Sequence, residues 1–166
     1  MLHYRPIQPS DDEILASIIR ANLEHLHLNI PGTAYFDPEL DHLSAFYAEN
    51  PKKRAYFAAL DEDGHVVGGV GIAEFPGIEN CAELQKLYLA DCAKGLGYGK
   101  ALVSLAERWA ASAGYENLYL ETHTNFAVAL QLYTHMGFQP IARPRGVFHE
   151  TMDHFMLKKL SPVQPV

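Results

Sequence analysis

Cysteine is scarce in this chain. Among its 166 residues only Cys81 and Cys92 carry thiols, and their separation fits neither a Cys-x-x-Cys pair nor a zinc-ligand spacing. That excludes a disulfide scaffold and leaves two reduced cysteines of the kind cytosolic proteins carry. Long apolar runs are missing as well, since none approaches the roughly 18 residues that a membrane-spanning helix requires. The opening stretch, MLHYRPIQPSDDE, lacks the apolar segment of a secretory leader. The expectation is a cytoplasmic protein with no membrane partner. Basic residues are outnumbered, 13 Lys and Arg against 20 Asp and Glu, for a formal charge of −7. This argues against a nucleic-acid partner held by a broad basic face. It favours a cationic partner over an anionic one, and any anionic ligand needs a local positive site.

What is present suits one ordinary core. Hydrophobic residues make up 48% of the chain and charged residues 20%, which fits a single domain over residues 1–160. The ending SPVQPV, residues 161–166, reads as a flexible tail. Residues 2–7 form a first strand. Ser10 and Glu13 match the Ser-x-x-Glu capping box, so a helix starts there and runs to about Leu26. The loop HLNIPGTAYFDPE follows, broken by Pro31, Gly32 and Pro38, then a second helix at about 38–49. Strands at 54–61 and 65–75 join at Asp63-Gly64, a hairpin signal. Gly68, Gly69 and Gly71 thin the second of these for close approach of a backbone or a ligand.

Downstream, Leu102, Leu105, Ala106, Trp109, Ala110 and Ala113 make one apolar stripe on a helix over 97–113, stopped by Gly114. A strand at 117–122 precedes a helix at about 125–136, with Phe126, Ala129, Leu130 and Tyr133 on one face and Gly137 at its end. Strands at 138–143 and 150–159 complete the order β-α-α-β-β-β-α-β-α-β-β. The strand at 81–90 is irregular. Ala82 and Leu84 share one parity and Leu87 and Leu89 the other. One extra residue near Gln85-Lys86, a β-bulge, would put all four on the core face. A strand buried on both faces is the alternative.

Between that strand and the striped helix lies Lys94-Gly95-Leu96-Gly97-Tyr98-Gly99-Lys100. A pyrophosphate needs converging backbone N–H groups and the positive end of a helix, and glycine keeps side chains out of the way. Lys94 and Lys100 add positive charge to an acidic chain. A plain flexible connection is the competing reading. Two nucleotide signatures do not fit. A P-loop ends in Gly-Lys-Ser/Thr, whereas Gly99-Lys100 is followed by Ala101. A Rossmann fingerprint opens the first β-α turn, and this loop lies past mid-chain.

Taken together, these motifs resemble the GCN5-related N-acetyltransferase (GNAT) superfamily. Lys94-Gly-Leu-Gly-Tyr-Gly is similar to its Arg/Gln-x-x-Gly-x-Gly/Ala motif, with lysine where arginine or glutamine is usual. Ala82-Glu83-Leu84-Gln85-Lys86-Leu87-Tyr88-Leu89 resembles its bulged fourth strand. Leu120-Glu121-Thr122, Asn125 and the run Ala129 to Phe138, ending Leu132-Tyr133-Thr134-His135-Met136-Gly137-Phe138, resemble its second cofactor motif. The likeness is best over 66–138.

The resemblance implies an α+β, three-layer α/β/α fold. Its mixed, twisted sheet would have about seven strands, with a splayed, bulged fourth strand, and about four helices. It implies acetyl-CoA as acyl donor, no metal, and a small-molecule or peptide amine as acceptor. Dimers are common in the family, so a homodimer is open by the same analogy. The amides of residues 95–100 would hold the pyrophosphate: Gly95, Leu96, Gly97, Tyr98, Gly99 and Lys100, with Lys94 before them. Backbone groups of Leu87 and Leu89, flanking Tyr88, would pair with the pantetheine arm, and the Leu87 N–H would polarise the thioester. Asn125 would bond that arm, with Ala129 and Leu132 beside it.

An alkylammonium has a pKa of about 10.4, so the acceptor needs a base. Glu83 is the leading candidate and Glu121 the reserve, each with a structural ion pair as its alternative. Tyr133 would serve the leaving thiolate. Its phenol, pKa about 10, is weaker than a thiol of about 8.5, so a hydrogen bond is favoured over full transfer. Nine histidines include no His-Glu-x-x-His. His149 and Glu150 would reach the acceptor side, and Tyr35 and Phe36 would wall it, or else pack locally. A non-catalytic acyl-CoA-sensing regulatory module is the competing function. Replacing Gly97 by tryptophan is expected to abolish the thermal stabilisation that acetyl-CoA confers, which at about 100 times Kd corresponds to about 2.7 kcal/mol. Differential scanning fluorimetry checks this, and an unchanged shift would mean the loop is not the cofactor site.

Overall fold

The computed structural model describes residues 1–163. Its elements are β1 (His3–Pro6), α1 (Asp12–His25), α2 (Leu43–Ala48), β2 (Ala55–Leu60), β3 (Val66–Glu74), β4 (Cys81–Leu89), α3 (Tyr98–Ser112), β5 (Asn117–Thr122), α4 (Ala127–His135), β6 (Gln139–Pro140) and β7 (His154–Lys159). The strands form one seven-stranded sheet in the order β1-β2-β3-β4-β5-β7-β6. All neighbours are antiparallel except β4 and β5, which α3 joins by a crossover.

The order of strands and helices is the one the sequence predicts, but four boundaries move, one being the last strand, which begins at His154 and not at residue 150. Ser10 does not cap α1. A single 3-10 turn, Pro9–Asp11, leads in, and the Asp11 carboxylate accepts the Gln8 N–H at 2.8 Å and both Arg5 guanidinium nitrogens at 2.6 and 2.9 Å. A partner on β1 therefore decides the local geometry. The second helix is cut to Leu43–Ala48 behind a 3-10 turn at Leu40–His42. The strand expected at 138–143 survives only as Gln139–Pro140, at the sheet's edge, where proline costs least. Residues 161–163 form neither helix nor strand, and the rest of the expected tail, 164–166, lies outside the described residues. Among the described residues no helix is long and apolar enough to cross a membrane.

Two cores sandwich the sheet. Leu102, Val103, Ala106 and Ala110 of α3 and Tyr133 of α4 pack with Ala82, Leu84, Leu118 and Leu120 on one face. Leu15, Ile19 and Leu23 of α1 and Tyr47 of α2 pack with Tyr56 and Ala73 on the other. The bulge expected in β4 is present. Gly69 pairs with Tyr88 and Gly71 with Gln85, so one step on β3 faces two residues, Lys86 and Leu87, on β4. Lys86 adopts φ 49. Ala82 and Leu84 belong to the α3–α4 core, and Leu87 and Leu89 pack against the same core. Tyr88, on the other parity, packs with the α1–α2 core.

Of the β3 glycines, Gly68 admits the close backbone approach expected, from Tyr88 and Leu89 of β4, while Gly69 and Gly71 make room for aromatic rings. A Cβ on Gly69 would collide with the Tyr56 ring, and one on Gly71 with the Tyr47 hydroxyl. That hydroxyl donates to Gln85 Oε1 at 2.9 Å, so the thin strand is what lets α2 reach β4. Gly71→Ala is expected to cost about 1–3 kcal/mol by overpacking, read as a lowered urea midpoint with unchanged slope.

Candidate active site

Strands β4 and β5 pair only over Cys81–Asn117, Ala82–Leu118 and Glu83–Tyr119. Beyond that point they diverge. The edge of β4 from the bulge onward thus has no strand beside it on the β5 side. Ala90 N–H bonds back to Val67 O on β3 at 2.7 Å, so by strand alternation the Leu89 N–H points to the open edge. The Leu89 carbonyl is taken by Asn22 Nδ2 at 3.0 Å, which removes one of the backbone groups expected to face a ligand. Ala129, Leu132 and Tyr133 of α4 lie on the same side as Leu87 and Leu89. Asn125 is exposed, and its Nδ2 already donates to Leu26 O at 2.9 Å, so its side-chain oxygen is the group left for a ligand.

At the far end of β4 a 3-10 turn, Asp91–Ala93, leads into the glycine loop. Gly95 and Gly97 have φ of 74 and 80, and a Cβ on either would meet nothing within 4 Å. Glycine is needed there for the left-handed backbone, not to relieve crowding within the protein. Gly99 is different: a Cβ would sit 3.2 Å from Leu132 Cδ2, which ties the loop to α4. The helical ladder of α3 starts only with Ala101 N–H to Gly97 O at 3.2 Å. Among the described residues no group accepts a hydrogen bond from the Gly95, Leu96 or Gly97 N–H. These amides and the start of α3 are groups that could receive an anion. Lys94 is less free than its position suggests, because its Nζ holds Asp91 Oδ1 at 2.7 Å. Lys100 is exposed, and Tyr98 packs against the α3–α4 core.

The carboxylates expected to act lie together on the opposite face of the sheet. Glu83 stands in register with Tyr119, and Glu121 is two residues on along β5, so the three side chains share a face. Glu83 Oε1 accepts from Gln85 Nε2 at 2.5 Å, and Gln85 is held in turn by Tyr47. Burial pushes the Glu83 carboxyl up, the nearby Glu121 adds to this, and the pKa reaches about 7. Glu121 accepts from the Tyr119 hydroxyl at 2.9 Å and from His149 Nδ1 at 3.1 Å. His149 Nε2 lies 2.7 Å from Asp37 Oδ1. Asp37 Oδ2 pairs with Lys86 Nζ at 2.7 Å, and Lys86 also reaches Glu39 Oε1 at 3.0 Å. Glu83, Gln85, Lys86, Glu121 and His149 line one small pocket with Tyr88.

Tyr133 is 6% exposed, and burial raises its pKa above the ordinary phenol value. Among the described residues its hydroxyl has no hydrogen-bond partner. Its ring meets Phe138 edge-on at 5.9 Å.

Of the remaining residues singled out in the sequence, His149 reaches the pocket. Glu150 is exposed and does not line it. Tyr35 donates its hydroxyl to Glu24 at 2.6 Å, which is local packing, and Phe36 is 60% exposed. Sequence reasoning missed Asp37, Lys86, Gln85 and Tyr47. Only Lys86 carried a signal, its place at the predicted bulge, since a cation turned inward there needs buried anions.

Comparison with known proteins identifies the family and the fold. The pattern of the Acetyltransferase (GNAT) family matches residues 21–138. An uncharacterized N-acetyltransferase, YjgM, of Escherichia coli (strain K12) is 34% identical over 159 residues, covering 94% of this chain and 93% of that protein. A GNAT-family acetyltransferase from Staphylococcus aureus Mu50 superposes with a TM-score of 0.85 at 19% identity, over 97% of this chain and all of that one (100%). The putative acetyltransferase yncA of Salmonella typhimurium, solved with its cofactor acetyl-CoA, superposes with a TM-score of 0.74 at 20% identity, over 100% of this chain and 98% of that one. At these identities the two structures speak for the fold.

A carboxyl whose pKa rises on folding, from 4.5 to about 7 for Glu83, contributes stability below the lower value and loses it as pH climbs through the higher one. Glu83→Gln is therefore expected to gain on the parent protein by on the order of 1–3 kcal/mol between pH 4.5 and 7, then hold that lead. Urea titrations at stepped pH check this, and a constant difference would mean that Glu83 is not desolvated.

Proposed function

The chain belongs to the acetyltransferase (GNAT) family and is a transferase; from that premise we propose that it moves the acetyl group of acetyl-CoA to a primary amine, with Glu83 as base and Tyr133 beside the leaving sulfur. The observation that carries this reading is a carboxyl with a pKa of about 7 at the point where β4 and β5 part. Two findings support the donor. The Salmonella protein of the same fold is described with acetyl-CoA as its cofactor. In this chain, the unpaired amides at 95–97 and the open edge of β4 fit a diphosphate and an extended arm.

Acetyl-CoA, when bound, supplies an activated acyl carbon and a thiolate leaving group. The residues of the chain do the rest. The amides of Gly95, Leu96 and Gly97 and the first turn of α3 would hold the diphosphate, with Lys100 adding charge. Ala129 and Leu132 would flank the arm, and the Asn125 side-chain oxygen would accept from one of its amides. The Leu87 N–H would donate to the thioester oxygen, a preorganised dipole that needs no reorganisation. Glu83 would take a proton from the acceptor ammonium. At neutral pH a carboxyl with a pKa near 7 is part ionised and is the most basic carboxylate the site could offer without staying protonated. The acidic pocket formed by Glu83 and Glu121 suits a cationic amine. Tyr133 keeps its proton tightly because it is buried, so its part is a hydrogen bond to the developing thiolate, which stabilises charge without completing the transfer.

The direct test measures CoA thiol release across a panel of small amines and peptides, with products identified by mass spectrometry. Acetylated amine is expected; no turnover together with acetyl-CoA-dependent capture of a protein partner would mark a sensing module instead. Tyr133→Phe is expected to lower kcat about 10–100-fold with little change in acetyl-CoA affinity. For the parent enzyme, kcat/KM should rise with pH through an apparent pKa near 7, the value assigned to Glu83. Glu83→Gln should remove that limb, leaving only the rise set by the acceptor amine.

A further inference from the structure

Two loops meet above the pocket that holds Glu83. One joins α1 to α2 and the other joins β6 to β7. Thr151 Oγ1 donates to Pro31 O at 2.7 Å, and Thr151 N–H donates to Gly32 O at 3.2 Å. The third tie is His149 Nε2 to Asp37 Oδ1 at 2.7 Å. Of these ties only His149 continues to the sheet, where its Nδ1 donates to Glu121 Oε1 at 3.1 Å and its backbone N–H points at the same oxygen at 3.4 Å. Ionised carboxylates only accept. A ring that satisfies one with each nitrogen is therefore an imidazolium. Burial opposes that charge, but the hydrogen bonds to Asp37 and Glu121 outweigh it and lift the pKa to about 9.

The charges around the ring come from every element packed on it. The α1–α2 loop supplies Asp37 and Glu39, β4 supplies Lys86 and Glu83, and β5 supplies Glu121 with the Tyr119 hydroxyl on it. Gln85 and Tyr47, on Glu83, are neutral donors and acceptors. Lys86 is committed to Asp37 and Glu39, which leaves Glu121 to His149. Before Glu83 ionises, three carboxylates face two cations, one negative charge in surplus. Without His149 the surplus doubles, and Glu83 would have to ionise beside a bare Glu121 with which it shares a sheet face.

We propose that His149 is a positioning residue that acts through Glu121: by bridging Asp37 and Glu121 it cancels the carboxylate next to Glu83 and so keeps Glu83 able to ionise at neutral pH. Its catalytic meaning rests on Glu83 being the base, but its electrostatic effect does not. Neither the bridge nor the role follows from the glycine loop or the α4 motif, which lie on the other side of the cleft.

The test titrates the side-chain carboxyls of the intact protein by NMR after labelling glutamate with carbon-13, with the Glu83 signal identified by its loss in Glu83→Gln. In His149→Gln the Glu83 midpoint is expected to rise by about one pH unit. His149→Arg, which keeps a cation, should return it most of the way, an effect that a merely structural role for the loop would not produce. Should His149→Gln not fold, Glu121→Gln supplies a background in which losing His149 strands no charge on β5. There Glu121→Gln alone should titrate below the parent, and the double variant should titrate with it, because no carboxylate is left for His149 to cancel. An unchanged midpoint in folded His149→Gln, or a rise of about one pH unit on losing His149 in that background, overturns the proposal. Full acetylation by Glu83→Gln would instead remove Glu83 as base and leave the titration result standing.

Discussion

Between Gly69 and Gly71, β3 advances by two residues while β4 opposite, from Tyr88 to Gln85, advances by three. That single surplus residue organises the site. It lets residues of both parities, Leu84 before it and Leu87 after it, face the α3–α4 core. It turns Lys86, at φ 49, into the α1–α2 layer, where Asp37 and Glu39 receive its ammonium. It also bends β4 away from β5, so their pairing stops at Glu83 and Tyr119. A left-handed conformation outside glycine costs about 1–3 kcal/mol. The buried ion pairs of Lys86 and the Tyr56 hydroxyl on the Lys86 carbonyl, at 3.2 Å, hold the residue there. The strain and the opening have the same cause.

The two faces of the opening carry different chemistry because they carry different layers. On the α3–α4 side lie uncommitted amides and apolar side chains, suited to a diphosphate and an extended arm. On the α1–α2 side lie carboxylates, a buried lysine and a histidine, suited to an amine. Burial drives the proton-holding groups in the same direction and to opposite effect. It lifts the Glu83 carboxyl to where it titrates near neutrality, and it lifts the Tyr133 phenol further from losing its proton. One becomes a stronger base, the other a hydrogen-bond donor that stays one. The pocket's one surplus negative charge lies where the proposed cationic amine would arrive, and the glycine loop offers backbone N–H groups rather than a cluster of cations.

Much of this was legible along the chain. The apolar stripe of α3, the turn at Asp63-Gly64 and the change of parity between Leu84 and Leu87 are local signals, and each predicted its element because period alone decides which side chains can share a face. Gly95 and Gly97 were expected for lack of room beside a ligand, whereas within the protein it is their left-handed backbone that requires glycine. The failures share a cause too. Ser10 had the right spacing to cap α1, but Asp11 is gripped by Arg5 from β1, and a partner from another element outweighed a local preference. The edge strand at 138–143 shrank because Pro140 lacks a donor, and past it only the Ile141 N–H still reaches β7, at Phe155 O, 2.9 Å.

By itself, then, the order of residues determined the succession of strands and helices, the bulge, the place of the glycine loop and the family. Only the tertiary structure decided which polar residues meet. Tyr47 comes from α2, Asp37 from a loop, Gln85 and Lys86 from β4, Glu121 from β5 and His149 from the β6–β7 connection. Lys86, Glu121 and His149 could be singled out along the chain, but nothing in the sequence pairs any of the six with another. What each does depends on burial and on the charge placed beside it, and both are properties of contacts between segments, which no local pattern encodes.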